Sequence, residues 1–200
     1  MADSPDLYAL PPALPVPVDD GAADHLAGVR IPALALPSTF GGEVNLAVAA
    51  AGQAVLYCYP RTGTPGEPLP TGWDAIPGAR GCTPEACAFR DHHTELAALS
   101  AQVFGISTQT TEEQREFAER VHLPFALLSD ASLQLANALR LPTFTVDGLT
   151  LHRRLTLIAA GGVVTKVFYP VFPPDQHAAE VVAWLAAQAA NRDCFRRARR

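Results

Sequence analysis

The spacing of apolar residues along this chain changes several times, and the changes mark its elements. Ala54-Val55-Leu56-Tyr57-Cys58-Tyr59 is an unbroken apolar and aromatic run stopped by Pro60. Such a run predicts a strand buried on both faces near the centre of a sheet, and it directs Cys58 into the core. Leu34-Ala35-Leu36 between two prolines predicts a short strand, and Ser38 to Gly42 a turn. Further strands are expected at Val103 to Ser107 and Phe125 to Leu128, separated by a helix from Thr111 to Val121 with a Thr-x-Glu-Glu start. Ala131 to Leu139 predicts a short helix, and Leu155 to Ala159 with Val163 to Tyr169 predict a hairpin around Gly161-Gly162. Asp175 to Ala190 predicts a closing amphipathic helix. The order is that of an α/β domain with a mixed central β-sheet flanked by helices.

Two segments stand outside this alternation. Residues 1–22 hold five prolines by residue 20 and no regular period, and are expected to form an extended, partly ordered N-terminal arm. Residues 60–81 form a long loop rich in proline and glycine, with Trp73 and Ile76 as its main large apolar groups. Loops of that length inside a compact domain are usually functional or disordered, and the tryptophan favours one that packs back on the body. Directly after it, Thr83 is expected to cap a helix with Pro84 in the first turn and Phe89, Leu96 and Leu99 as its apolar stripe to Ser100, which puts Cys82 at the helix's N-terminal end. The expected body is residues 23–190, followed by a basic tail at 191–200 containing Arg192, Arg196, Arg197, Arg199 and Arg200.

Composition narrows the class. Two hundred residues, 48% hydrophobic and 18% charged, at a mean hydropathy of +0.11, suit one well-filled core and exclude wholesale disorder. A net charge of −5 argues against a nucleic-acid-binding surface over the fold. No apolar run approaches the roughly 18–20 residues of a membrane span, and the N-terminus carries acids where a signal peptide needs basic residues, so the expected compartment is cytoplasmic. The four cysteines, Cys58, Cys82, Cys87 and Cys194, are too few and scattered for a disulfide framework. Adjacent His92 and His93 point about 100° apart on a helix, which speaks against a zinc site with Cys82 and Cys87.

The Cys82/Cys87 pair is the candidate for redox chemistry. A cysteine at a helix N-terminus lies beside unsatisfied N–H groups and the positive end of the helix dipole, which favour the thiolate, so Cys82 is the candidate nucleophile. Glu85 three residues on would oppose this, so the site needs a cation; Arg153 and Arg154, opening a late strand, are available. In an intact helix a five-residue spacing separates the Cα atoms by roughly 9 Å. A disulfide tolerates at most about 7 Å. Either the two never bond, or the start of the helix unwinds when Cys82 is oxidised.

Tyr59-Pro60-Arg61-Thr62-Gly63-Thr64-Pro65-Gly66 and Gly81-Cys82-Thr83-Pro84-Glu85-Ala86-Cys87-Ala88-Phe89-Arg90-Asp91 together resemble the active-site segment of the peroxiredoxins, most closely the peroxiredoxin Q, or bacterioferritin comigratory protein, branch. The likeness runs from His25-Leu26-Ala27-Gly28 to Trp184 and includes Phe104-Gly105-Ile106-Ser107 and Leu127-Leu128-Ser129-Asp130. It implies a thioredoxin-like fold and a thiol-dependent peroxidase acting on hydrogen peroxide or small organic hydroperoxides. It implies that Cys82 is the peroxidatic cysteine, that Arg154 holds its thiolate, that Pro60 shields it and that Thr64 hydrogen-bonds to the peroxide. Glu85 would orient Arg154, and Cys87 would resolve the sulfenic acid as an intrasubunit disulfide reduced by thioredoxin or a similar dithiol. No cofactor or metal is implied, and the chain is expected to be a monomer or homodimer. This chain departs from the family in one place: the family's Thr and Cys are three apart, whereas Thr64 and Cys82 are separated by an insert at 67–80. That insert keeps open a peroxiredoxin-fold protein recruited as a biosynthetic oxidant or thiol-disulfide oxidoreductase; a non-enzymatic redox sensor that signals through unwinding of the helix is the further alternative.

Overall fold

In the computed structural model, which describes residues 6–198 and side chains as far as Asn191, the chain runs β1 (Ala35–Pro37), β2 (Glu43–Asn45), α1 (Leu46–Ala49), β3 (Gln53–Cys58), α2 (Cys82–Asp91), α3 (His93–Ala98), β4 (Ala101–Ser107), α4 (Thr111–Arg120), β5 (Leu127–Ser129), α5 (Gln134–Leu139), β6 (Thr143–Val146), β7 (Leu149–His152), β8 (Leu155–Ala160), β9 (Val163–Phe168) and α6 (His177–Ala198). The main sheet has the order β5-β4-β3-β8-β9. β3 pairs parallel with β4 and antiparallel with β8, so it lies at the centre of a mixed sheet.

The unbroken apolar run of β3 follows from that position. Val55, Tyr57 and Tyr59 face a cluster with Phe89 of α2, Phe117 of α4 and Val181 and Leu185 of α6. Ala54, Leu56 and Cys58 face the opposite cluster, with Leu26, Leu36, Leu128, Leu135 and Leu157. Each fully buried large apolar side chain contributes about 1.5–3 kcal/mol, so covering both faces selects against polar alternation. The Tyr57 ring stacks on Phe89 with centroids 4.5 Å apart, which seats α2 on the sheet.

α2 begins where Gly81 adopts φ +98°. A Cβ there would collide with the Pro174 ring and come within 2.8 Å of Leu10, so a glycine is required on both counts. The expected cap at Thr83 is corrected accordingly: the helix starts at Cys82, no side chain caps it, and Thr83 is buried inside the first turn. The expected single helix to Ser100 is two helices, interrupted at His92, where Asp91-His92-His93-Thr94 gathers residues of weak helix propensity. By contrast, the Thr-x-Glu-Glu start of α4 is a full capping box, with Thr110 and Glu113 bonded reciprocally.

Two further differences concern extent. The β6–β7 hairpin was not among the expected elements, although Asp147-Gly148 between alternating strands is a strong two-residue turn signal, and both turn residues have positive φ. α6 continues past Ala190 to Ala198, because the alanine-rich stretch beyond Trp184 contains no Gly or Pro to stop it. The side chains of the expected basic tail from Arg192 and of Cys194 lie outside the described residues. Among the described residues no helix is long and apolar enough to cross a membrane.

The N-terminal arm and the insert dock on one another. Leu7 packs against Gly63 and Pro17 lies beside Gly78. The Tyr8 hydroxyl accepts a hydrogen bond from Arg120 at 3.1 Å, and Tyr169 donates to Asp20 at 2.8 Å. Trp73, 4% exposed, packs in a small cluster with Ala79 and Leu151, with Phe144 alongside, as a tryptophan clamp for its own loop should.

Candidate active site

Sheet pairing assembles the site. β3 ends at Cys58 and continues through the buried Tyr59 and Pro60, while β8 runs antiparallel with Leu155 opposite Cys58. Arg154, immediately before β8, therefore stands at the C-terminal end of β3, the end where α/β sheets collect ligands. The insert carries the chain outward and returns it at Gly81, so that α2 starts at the same place. The result is that Arg154 Nη2 lies 3.1 Å from Cys82 Sγ, across 72 residues of chain.

Arg154 also donates through Nη1 to the Glu85 carboxylate. All three residues are withdrawn from water, at 4%, 0% and 3% exposure for Cys82, Glu85 and Arg154. A helix rise of three residues places Cys82 and Glu85 on one face of α2, which is why one guanidinium reaches both. Arg153, only half-buried, lines a cleft with Pro17, Val18, Tyr169 and Arg154 itself.

Four effects compete at the Cys82 sulfur. Burial pushes its thiol upward; the Arg154 charge and hydrogen bond pull it down; the Glu85 carboxylate pushes it up; the Arg61 main-chain N–H favours the thiolate. Burial wins, and the thiol lies above its ordinary value. In the thiol form Sγ donates to the Ala79 carbonyl at 3.6 Å. Glu85 is pushed up to about 7 by burial, with Arg154 opposing, and its Oε1 is buried with no hydrogen-bond partner. Breaking a buried pair of this kind by removing one partner costs about 3–5 kcal/mol.

Cys87 is half-buried on the same helix, its thiol raised by burial with Arg90 opposing. α2 is unbroken from Cys82 to Asp91 and both cysteines are free, so joining them requires its start to unwind. Cys58 belongs to the cluster on the opposite sheet face from Cys82. His92 pairs with Glu95 and His93 packs by Phe125, so the adjacent histidines diverge.

Among the expected site residues, Cys82, Glu85 and Arg154 come together and Pro60 is buried at the end of β3. Thr64 does not join them. It is exposed and lines a surface cleft with Asp6, Leu7, Tyr8 and Glu67. The insert at 67–80 begins after two further residues, and the residue three before Cys82 in the sequence is Ala79. Sequence reasoning also missed three main-chain acceptors: Gly78 O receives Arg154 Nε at 3.3 Å, and Ala79 O and Arg80 O receive Nη2 at 3.3 and 3.0 Å. Carbonyls leave no trace in a sequence; the only signal was an arginine in Gly78-Ala79-Arg80-Gly81-Cys82.

Comparison with known proteins places the chain in a family. The Redoxin family model matches residues 26–183. Peroxiredoxin Bcp of Escherichia coli (strain K12) is 34% identical over 82% of this chain and 97% of its own. The chloroplastic peroxiredoxin Q of Sedum lineare is 29% identical over 87% of this chain and 85% of its own. The crystal structure of peroxidoxin BcpB from Mycobacterium tuberculosis superposes with a TM-score of 0.65 at 30% identity, covering 80% of this chain and 96% of that one.

Proposed function

Because the chain belongs to the Redoxin family and, within it, to the peroxiredoxins, which are thiol-dependent peroxidases with a thioredoxin-like fold, we propose that Cys82 is its peroxidatic cysteine and Arg154 the group that holds the thiolate and polarises the peroxide. The observation that carries this is the contact of Arg154 Nη2 with Cys82 Sγ at 3.1 Å, with Glu85 on the same guanidinium.

The Cys82 thiol first gives up its proton; the thiolate sulfur, its charge held by Arg154, then attacks the hydroxyl-bearing oxygen of ROOH and the O–O bond breaks. With one proton taken up, the products are Cys82–SOH and ROH. Arg154 faces the oxygens as negative charge develops on the leaving alkoxide, and in a buried site such a donor counts for more than in water. Glu85 is a positioning residue for Arg154. Cys87 then displaces water from Cys82–SOH, forming the intrasubunit disulfide as the start of α2 unwinds. An external dithiol, thioredoxin or one like it, reduces that bond by exchange, yielding two thiols here and a disulfide on the reductant. The substrates are hydrogen peroxide or small organic hydroperoxides, the compartment is the cytoplasm, and the chain works as a monomer or homodimer.

Stopped-flow measurement of peroxide consumption, coupled to a thioredoxin system, tests the assignment. Wild type turns over peroxide and Cys82→Ser does not; equal rates for the two would overturn it.

A further inference from the structure

The guanidinium of Arg154 carries five N–H groups in one plane, and their partners can be counted. Nε donates to Gly78 O, one Nη1 hydrogen goes to Glu85, and the two Nη2 hydrogens are shared among Arg80 O, Ala79 O and Cys82 Sγ. Among the described residues, nothing else accepts from Nη1. One Nη1 hydrogen is therefore left for a peroxide oxygen, and its direction depends on how firmly the other four are held.

Three of the acceptors are consecutive carbonyls, at Gly78, Ala79 and Arg80. Carbonyl oxygens converging on one group repel one another, so the segment bearing them has to be pinned from outside. Two pins are present. The Ala79 side chain is fully buried against Trp73 and Leu151. The Arg80 side chain, 8% exposed, donates through Nη2 to the Asp6 carbonyl of the N-terminal arm at 3.1 Å and pairs through Nε with Asp74 at 3.2 Å. Arg80 thus ties together the arm, the middle of the insert and the stretch whose carbonyls hold the arginine at the sulfur. These acceptors occupy the stretch just before Cys82, from which Thr64 is absent.

Resting on the peroxidase reading above, we propose that Arg80 is a positioning residue for the peroxide reaction: through the Gly78–Arg80 carbonyls it fixes the plane of Arg154, so that the insert is a working part of the active site. An arginine held this way presents its free N–H to the oxygens in the transition state without reorganising. Arg80 touches neither substrate nor sulfur, and its effect runs wholly through Arg154.

The test compares two reactions of the same Cys82 thiolate in the full chain: oxidation by hydrogen peroxide, which needs the oxygens polarised, and alkylation by iodoacetamide, which does not. In Arg80→Ala the ratio of the peroxide to the iodoacetamide rate constant is expected to fall about tenfold or more. A general loosening of the site moves both rates together, so an unchanged ratio, with the rates either equally altered or unaltered, overturns the proposal. Should Arg80→Ala fail to fold by circular dichroism, Asp74→Asn removes the charge partner of Arg80 at an exposed side chain. There the ratio is expected to fall about threefold, and an unchanged ratio overturns the proposal. A wild type whose Cys82 reacts with peroxide no faster than a free thiol overturns the peroxidase reading itself, and with it this one. A fast wild type with an unchanged ratio in the variant overturns only the role of Arg80.

Discussion

Arg154 Nη2 and Cys82 Sγ lie 3.1 Å apart inside the protein, with almost no water at either. Replacing Arg154 by lysine keeps a charge but loses the planar fork that serves Cys82, Glu85 and the insert carbonyls together. Arg154→Lys is expected to lower the second-order rate constant with hydrogen peroxide by about a hundredfold. Stopped-flow kinetics over Cys82 oxidation measures it directly.

Bonding Cys82 to Cys87 is incompatible with the intact α2. A stoichiometric peroxide pulse should therefore give a Cys82–Cys87 disulfide in peptide maps of the wild type, with some loss of helical signal in far-ultraviolet circular dichroism. Cys87→Ser should stop at sulfenic acid and pass to the sulfinic form with excess peroxide, its helical signal unchanged.

Two buried groups give the stability opposite pH slopes. His177 is 1% exposed, bonds Thr156 at 2.8 Å and sits against Phe89 and Phe168. Burial, aided by the Arg154 charge, pushes it down to about 3 from an ordinary 6.5. Its contribution is therefore complete above 6.5 and lost as pH falls toward 3, because the unfolded chain takes up the proton first. Glu85, pushed up to about 7 from 4.5, does the reverse, contributing fully below 4.5 and losing that contribution as pH rises through 7. Urea midpoints from pH 5 to 8 should show His177→Gln losing less stability than wild type on acidification from 6.5. Over the same range Glu85→Gln should lose less on going from pH 5 to 7.

Trp73 holds the insert to the body through its contact with Ala79 and Leu151. Trp73→Ala removes a fully packed indole, which costs about 3 kcal/mol or more of local docking. Opening of the loop should then rise by about two orders of magnitude, read as faster limited proteolysis between residues 66 and 78.

Much of this was legible along the chain, for local reasons. The central strand, the α4 capping box and the β8–β9 hairpin follow from runs, caps and turns that act within a few residues. Cys82 at a helix start and its match to the peroxiredoxin segment could also be read directly. Helix limits were less legible: the break at His92 and the extension to Ala198 depend on weak propensities that nearby contacts tip either way. The misplaced cap at Thr83 has a different cause, since Gly81 is fixed by Pro174 and Leu10, which approach from far along the chain.

The amino-acid sequence by itself determined which residues are the candidates for the chemistry: a helix-end cysteine, a second cysteine too far along the helix to bond without unwinding it, and an acid that demands a cation. The peroxiredoxin resemblance pointed to Arg154 as that cation, but only the tertiary structure decided how it reaches the sulfur and what surrounds it. Register across β3 and β8 puts Arg154, not Arg153, beside Cys82. The fold of the insert leaves Thr64 at the surface and brings the Gly78, Ala79 and Arg80 carbonyls onto the guanidinium. The physical reason is the same in both cases. A cysteine's place at a helix start is a local property of the chain, whereas a buried charge takes its partners from whatever backbone and side chains packing delivers to it.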